Sequence, residues 1–136
     1  MDKKSQENLD SADLLIKNGK YNSSIHCSYY AVFQYMKYAL NSFTISLKNS
    51  NISYKKQNRM TKSRNSHIVI TDEVVKRIIE VSPIDAHDFS QKIEKLKDHR
   101  NTADYQLNIL KKKKSKKDLE LANCLISTLK SKFLLP

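Results

Sequence analysis

Apolar residues recur along this chain at intervals of three and four, the period of helices that bury one face. The longest such stripe runs Ile25, Tyr29, Val32, Met36, Leu40 and Phe43, with gaps of 4, 3, 4, 4 and 3. It predicts a long second helix at the centre of a bundle. Tyr29, Tyr30, Phe33, Tyr35 and Tyr38 surround the stripe, so this helix is expected to be contacted all round, with the phenol hydroxyls reaching a wet edge. A first helix is predicted from about Lys4 to Asn18, with Leu9, Ala12, Leu15 and Ile16 inward. Gly19, the only glycine, falls where a helix C-terminus takes a left-handed residue, and Asn22 or Ser23 can cap the helix that follows.

Periodicity lapses over residues 49–70, which read as a long basic loop of about residues 48–70. Thr71 is then expected to cap a short helix with Glu73 in its first turn and Val74, Val75, Ile78 and Ile79 inward. Pro83 should end it, and Asp85 should cap a fourth helix on the face Ala86, Phe89, Ile93 and Leu96. The final helix is predicted from about Ser115 to Lys132, with Leu119, Ala122, Ile126, Leu129 and Phe133 inward, after a lysine-rich connection over 111–117. With one glycine, two prolines and 136 residues, the expectation is an all-α, antiparallel four- to five-helix bundle forming a single domain over 1–136.

The fourth helix carries an irregularity. Continuing the step from Leu96 brings Arg100 and then Ala103 into core phase, and a guanidinium, which keeps its charge, rarely goes there. Asp104 follows at the i+4 spacing that lets a carboxylate reach it. Such a cluster is either a structural ion pair or a site.

Charge sharpens the picture. Residues 48–65 carry Lys48, Lys55, Lys56, Arg59, Lys62 and Arg64; residues 111–117 carry Lys111, Lys112, Lys113, Lys114, Lys116 and Lys117. Together these segments hold 12 of the 25 basic residues and none of the 14 acidic ones. The body is therefore near neutral, and the net charge of +11 is concentrated in two segments, the footprint expected of a partner for nucleic-acid phosphates.

Other chemistries find little support. Cys27 and Cys124 are far apart, make no metal-binding spacing, and read as buried thiols in a reducing cytoplasm. His26 and His87 have no companion ligands at a metal spacing. A single glycine excludes glycine-rich phosphate loops. The start lacks an apolar leader and no apolar run approaches membrane length, so a cytoplasmic protein with neither metal nor cofactor is expected.

The segment Ser11-Ala12-Asp13-Leu14-Leu15, then Gly19-Lys20-Tyr21, then Ser24 to Phe33, followed much later by Arg100-Asn101-Thr102-Ala103-Asp104-Tyr105, resembles a HEPN domain (higher eukaryotes and prokaryotes nucleotide-binding), over about residues 9–132. The resemblance implies an α-helical, usually dimeric protein common in prokaryotic defence. Active members of the family resemble metal-independent endoribonucleases in which an arginine stabilises phosphorane charge and a histidine five residues later acts as acid and base. Arg100 and Asn101 match the motif's first two positions; Tyr105 stands at the histidine position. A phenol with an ordinary pKa near ~10 is a poor proton carrier at neutral pH, and His99 is rotated roughly 100° from Arg100 on a helix.

The expected function is therefore a non-catalytic, nucleic-acid-binding homodimer serving as an accessory subunit in antiviral defence, holding DNA or RNA for a CRISPR effector or partner nuclease. Lys55, Lys56, Arg59, Lys62, Arg64, Lys111 to Lys114, Lys116 and Lys117 would contact phosphates. Arg100, Asp104 and Tyr105 would form a structural or interface cluster, with the Tyr105 hydroxyl able to cap the ion pair. Two alternatives stand beside it. One is an endoribonuclease toxin built on Arg100, with Asn101 orienting and Tyr105, His99, His67 or a loop residue assisting. The other is an antitoxin-like scaffold that binds only protein.

Overall fold

The computed structural model describes residues 2–49, 66–107 and 109–133. Among them are five helices: α1 (Lys3–Lys17), α2 (Tyr21–Asn49), α3 (Ser66–Val81), α4 (Pro83–Tyr105) and α5 (Lys112–Lys132). No strand occurs among the described residues, so the fold is the all-α bundle that the periodicity predicts. Helix α2 touches each of the other four. The reason lies in its sequence: Ile25, Tyr29, Val32 and Met36 are fully buried on the predicted stripe, and so are Ala31, Tyr35 and Ala39 off it. A helix apolar on more than one side is stable only when it is surrounded.

Local chemistry sets the turns. The α1 N-terminus is capped by Asp2, whose carboxylate accepts from the Ser5 amide at 3.1 Å. At the other end Gly19 takes φ +74°. The Gly19 amide donates to the Ile16 carbonyl and the Lys20 amide to the Leu15 carbonyl. That is the Schellman pattern, and only glycine enters it without strain.

Several boundaries depart from expectation. Helix α3 starts at Ser66, not Thr71. Thr71 is interior, its hydroxyl donating back to the His67 carbonyl at 2.7 Å, and burial of Ile70 gives the extra turn its anchor. Residues 48 and 49 are likewise helical, in α2. The rest of the expected loop, with Lys55, Lys56, Arg59, Lys62 and Arg64, lies outside the described residues. Helix α3 stops at Val81, two residues before Pro83, as expected; Pro83 also opens α4, at a position where its missing N–H costs nothing, and the cap is Ser82 rather than Asp85, the Ser82 hydroxyl accepting from the Asp85 amide. Helix α2 opens at Tyr21, so neither Asn22 nor Ser23 caps it.

The largest revision is at the lysine run. Helix α5 begins at Lys112, so most of the expected 111–117 connection is helix. Ser115 and Asp118 are buried at 0% and 2% exposure and extend the inner face of Ala122, Leu125, Ile126 and Leu129 by two polar residues, which hydrophobic periodicity misses. Ile79 is also 48% exposed rather than inward, Leu15 is only half-buried, and Cys124 is exposed. No described helix is long and apolar enough to cross a membrane.

Candidate functional site

The apolar face of α4 buries Ala86, Phe89, Ile93 and Leu96 against the bundle. The same step delivers Arg100, whose side chain is 13% exposed, to the flank of α2. Two of its three guanidinium nitrogens donate hydrogen bonds. Nη2 donates to the Tyr30 hydroxyl at 2.8 Å and Nη1 to Asn101 Oδ1 at 3.0 Å. Nε lies 3.0 Å from Asp104 Oδ2, but off the line a hydrogen bond needs, so that contact is coulombic. The group also sits over the rings of Tyr29, Tyr30 and Tyr105, at 5.5, 5.2 and 5.5 Å from their centroids. The predicted i+4 pair therefore forms, while the hydroxyl that caps the arginine belongs to Tyr30. Tyr105 contributes a ring face and is otherwise 74% exposed.

The sequence reading gave His26 no role, yet the structure joins it to this cluster. Its Nδ1 donates to Asp104 Oδ2 at 2.8 Å, and its ring lies 4.6 Å from that of Tyr30. Periodicity could not find this contact, because it crosses 78 residues of sequence. Asp104 thus bridges an arginine and an imidazole at the edge of a cleft of about 330 Å³ lined by Asn22, Ser23, His26, Cys27, Ala103 and Asp104. Burial, and then the Asp104 charge, push the Cys27 thiol up, away from the thiolate form that reacts.

Behind the arginine lies an aromatic stack. Tyr29 Oη and His67 Nδ1 share a hydrogen bond of 2.7 Å, and His67 is stacked on Phe33 with centroids 4.1 Å apart. Burial raises Tyr29 to about 12. Burial, followed by Arg100, Lys97 and Lys37, pushes His67 down, which holds the imidazole neutral. The hydroxyls of Tyr29 and Tyr35 are thus not at a wet edge; both residues are fully buried. His99 points away from Arg100, as helix geometry requires. Its Nδ1 lies 2.9 Å from Asp118 Oδ1 and 3.1 Å from Oδ2, fastening α4 to the buried start of α5. Burial raises Asp118, with His99 opposing.

The lysines occupy the opening of α5. Lys111, Lys112, Lys113, Lys116 and Lys117 are exposed, Lys114 is half-buried, and no described carboxylate forms an ion pair with any of them. Elsewhere Lys17, Lys76, Lys92 and Lys132 each hold an acid. Asn22 ties the two regions together. Its Nδ2 donates to the Ala103 carbonyl at 3.3 Å and its Oδ1 accepts from the Leu110 amide at 2.9 Å. One side chain thereby holds the end of α4 against the residue before Lys111. No group of three or more described ligating side chains could hold a metal ion.

A helical bundle with a polar arginine cluster closing its fourth helix defines the class. The chain belongs to the HEPN domain family, whose family model matches residues 3–132. Membership supports a nucleic-acid-related or RNase-like function in general terms. Comparison with curated proteins and with solved structures returned no match.

Proposed function

We propose that this protein is a non-catalytic nucleic-acid-binding member of its family, holding DNA or RNA through the lysines that open α5. The observation that carries this reading is the set of five exposed lysines, Lys111, Lys112, Lys113, Lys116 and Lys117, without a described acidic partner. Exposed cations gathered in the first two turns of one helix, with no acid among them, remain available to phosphates. The positive end of the α5 dipole and the absence of a side-chain cap at Lys111 add to the attraction. The proposal extends to a homodimer that serves as an accessory subunit in antiviral defence, beside a CRISPR effector or partner nuclease. The arginine cluster is its structural pin, with every guanidinium nitrogen already in contact.

The test is equilibrium binding of labelled oligonucleotides between 50 and 200 mM salt. Affinity should fall steeply with salt. Changing the five exposed lysines to glutamine should weaken binding more than tenfold and flatten the salt slope by about 0.7–0.9 per lost phosphate contact. Unchanged affinity and slope would sink the reading.

One observation favours a second reading, a metal-independent endoribonuclease. Asp104 orients His26 beside Arg100, pairing an imidazole with a charge stabiliser. Incubation with labelled RNA in chelator decides it: cleavage that disappears in both Arg100→Lys and His26→Gln would replace the binding reading. Protein-only scaffolding would instead give no nucleic-acid binding even at low salt.

A further inference from the structure

From the Tyr105 ring and its surroundings we infer that the nucleic acid held by this protein is single-stranded, with one base stacked on Tyr105 while the following phosphates run along the α5 lysines. The inference rests on the proposed binding role and gives it a ligand class. Three observations support it.

The first is the state of the ring. Tyr105 closes α4 and is 74% exposed, yet it is not loose, because the Arg100 guanidinium sits 5.5 Å from its centroid. Arg100 is itself fixed by Tyr30, Asn101 and Asp104. A flat aromatic surface with one face on a rigid cation and the rest in solvent is a preorganised platform for a base, and every base presents a π face to it.

The second is continuity with the phosphate surface. The Asn22 clamp fixes Ala103, two residues before Tyr105, close to Leu110, one residue before Lys111. The end of α4 that carries Tyr105 and the residue that leads into Lys111 are therefore held near one another. A ring beside a row of cations is what single-strand binding requires, since bases stack while the backbone is neutralised. Paired bases in a duplex offer no free face to such a ring.

The third is the lining between them. Leu107 and Ile109 are 102% and 91% exposed, which leaves apolar surface in solvent on the connection from α4 to the lysines. It suits the faces and edges of unstacked bases better than the grooves of a duplex, which present phosphates and hydrogen-bonding edges.

The probe pair is a fluorescein-labelled 15-nucleotide oligo(dT) and an abasic strand of the same length and charge, measured by anisotropy in 100 mM salt, with oligo(U) and a 15-base-pair duplex as further arms. A stacked base is worth about 1–3 kcal/mol, or roughly five- to 150-fold. The parent should bind oligo(dT) at least fivefold more tightly than the abasic strand. Tyr105→Ala should erase that difference, Tyr105→Phe should keep it, and neither should change duplex binding. The oligo(U) arm assigns RNA or DNA. Equal affinity for oligo(dT) and the abasic strand overturns the inference, as does a Tyr105→Ala protein that still distinguishes them. In either case lysine-dependent binding leaves the broader proposal standing. No binding of any probe at 50 mM salt overturns both. Because the abasic comparison uses the unmodified protein, the result does not depend on how any variant folds.

Discussion

Two basic regions flank the 106–110 connection, and their cations are treated in opposite ways. Arg100 holds a hydroxyl, an amide oxygen, a carboxylate and three aromatic rings, whereas five lysines of the α5 opening have no acidic partner among the described residues. The difference shows which positive charge belongs to the fold and which is available to a ligand. A guanidinium 13% exposed must be satisfied internally or cost several kcal/mol. An exposed lysine costs almost nothing unpaired, and it repels its neighbours until an anion arrives. The arginine motif and the lysine run are therefore different devices held together by Asn22.

The sharpest way to break the comparison is Arg100→Ala. It strands the Asp104 carboxylate and the Tyr30 hydroxyl and removes the cation between three rings. The expected loss is about 2–3 kcal/mol of stability, somewhat below that for breaking a fully buried pair, read as a lower urea midpoint. Arg100→Lys should fall between this variant and the parent, since an ammonium cannot reproduce the fork. If Arg100→Ala unfolds at the parent's midpoint, the cluster is not a structural pin.

Changing the five exposed lysines to glutamine should do the reverse. The binding loss of more than tenfold, about 1.4 kcal/mol, should come with no loss of stability. A slight gain is expected, because five cations at the positive end of a helix oppose its dipole. A destabilised variant would mean that these side chains support the fold, and the contrast with Arg100 would collapse.

Asn22→Ala probes the link between the regions. It removes two hydrogen bonds that span 81 and 88 residues of sequence. About 1 kcal/mol of stability should go, together with part of the preference for oligo(dT) over the abasic strand, while the salt slope stays. Loss of stability without any change in base preference would show that the clamp serves the fold alone.

How much of this was legible follows from the range of each interaction. The α2 stripe, the Gly19 turn and the Arg100–Asp104 pair are local, set by residues a helical turn or less apart, and they appear in the sequence as spacing. His26 and Asn22 meet the end of α4 across about eighty residues, and nothing in their own neighbourhood marks them. The start of α5 was missed for another reason: its inner face continues through Ser115 and Asp118, polar residues whose burial is supported by the Lys112 carbonyl and by His99. The lysines were legible as charge, but not as the first turns of a helix. Tyr105 was legible as a departure from the motif; its exposure and its backing by Arg100 needed the fold.

The smallest effect concerns the aromatic wall behind the arginine. His67 is packed against Phe33 and bonded to Tyr29, with burial and the charges of Arg100, Lys97 and Lys37 holding its pKa below the ordinary 6.5. An unfolded chain takes up that proton near pH 6.5, and the folded chain only at lower pH. Between the two values the unfolded state holds more protons, so stability present above pH 6.5 is lost as the pH falls through that window. Asp118 has the opposite sign. Burial raises it above 3.8, so between 3.8 and its folded value acidification favours the folded state and offsets part of the loss. Urea midpoints of the parent should therefore decline from pH 7.5 to 5.5 and level off below. His67→Phe keeps a ring on Phe33 without the titrating nitrogen and should flatten the first limb, whereas Asp118→Asn should steepen the second. If His67→Phe declines as steeply as the parent, the acid sensitivity lies elsewhere, and the neutral imidazole is not what separates the buried wall from the charged surface in front of it.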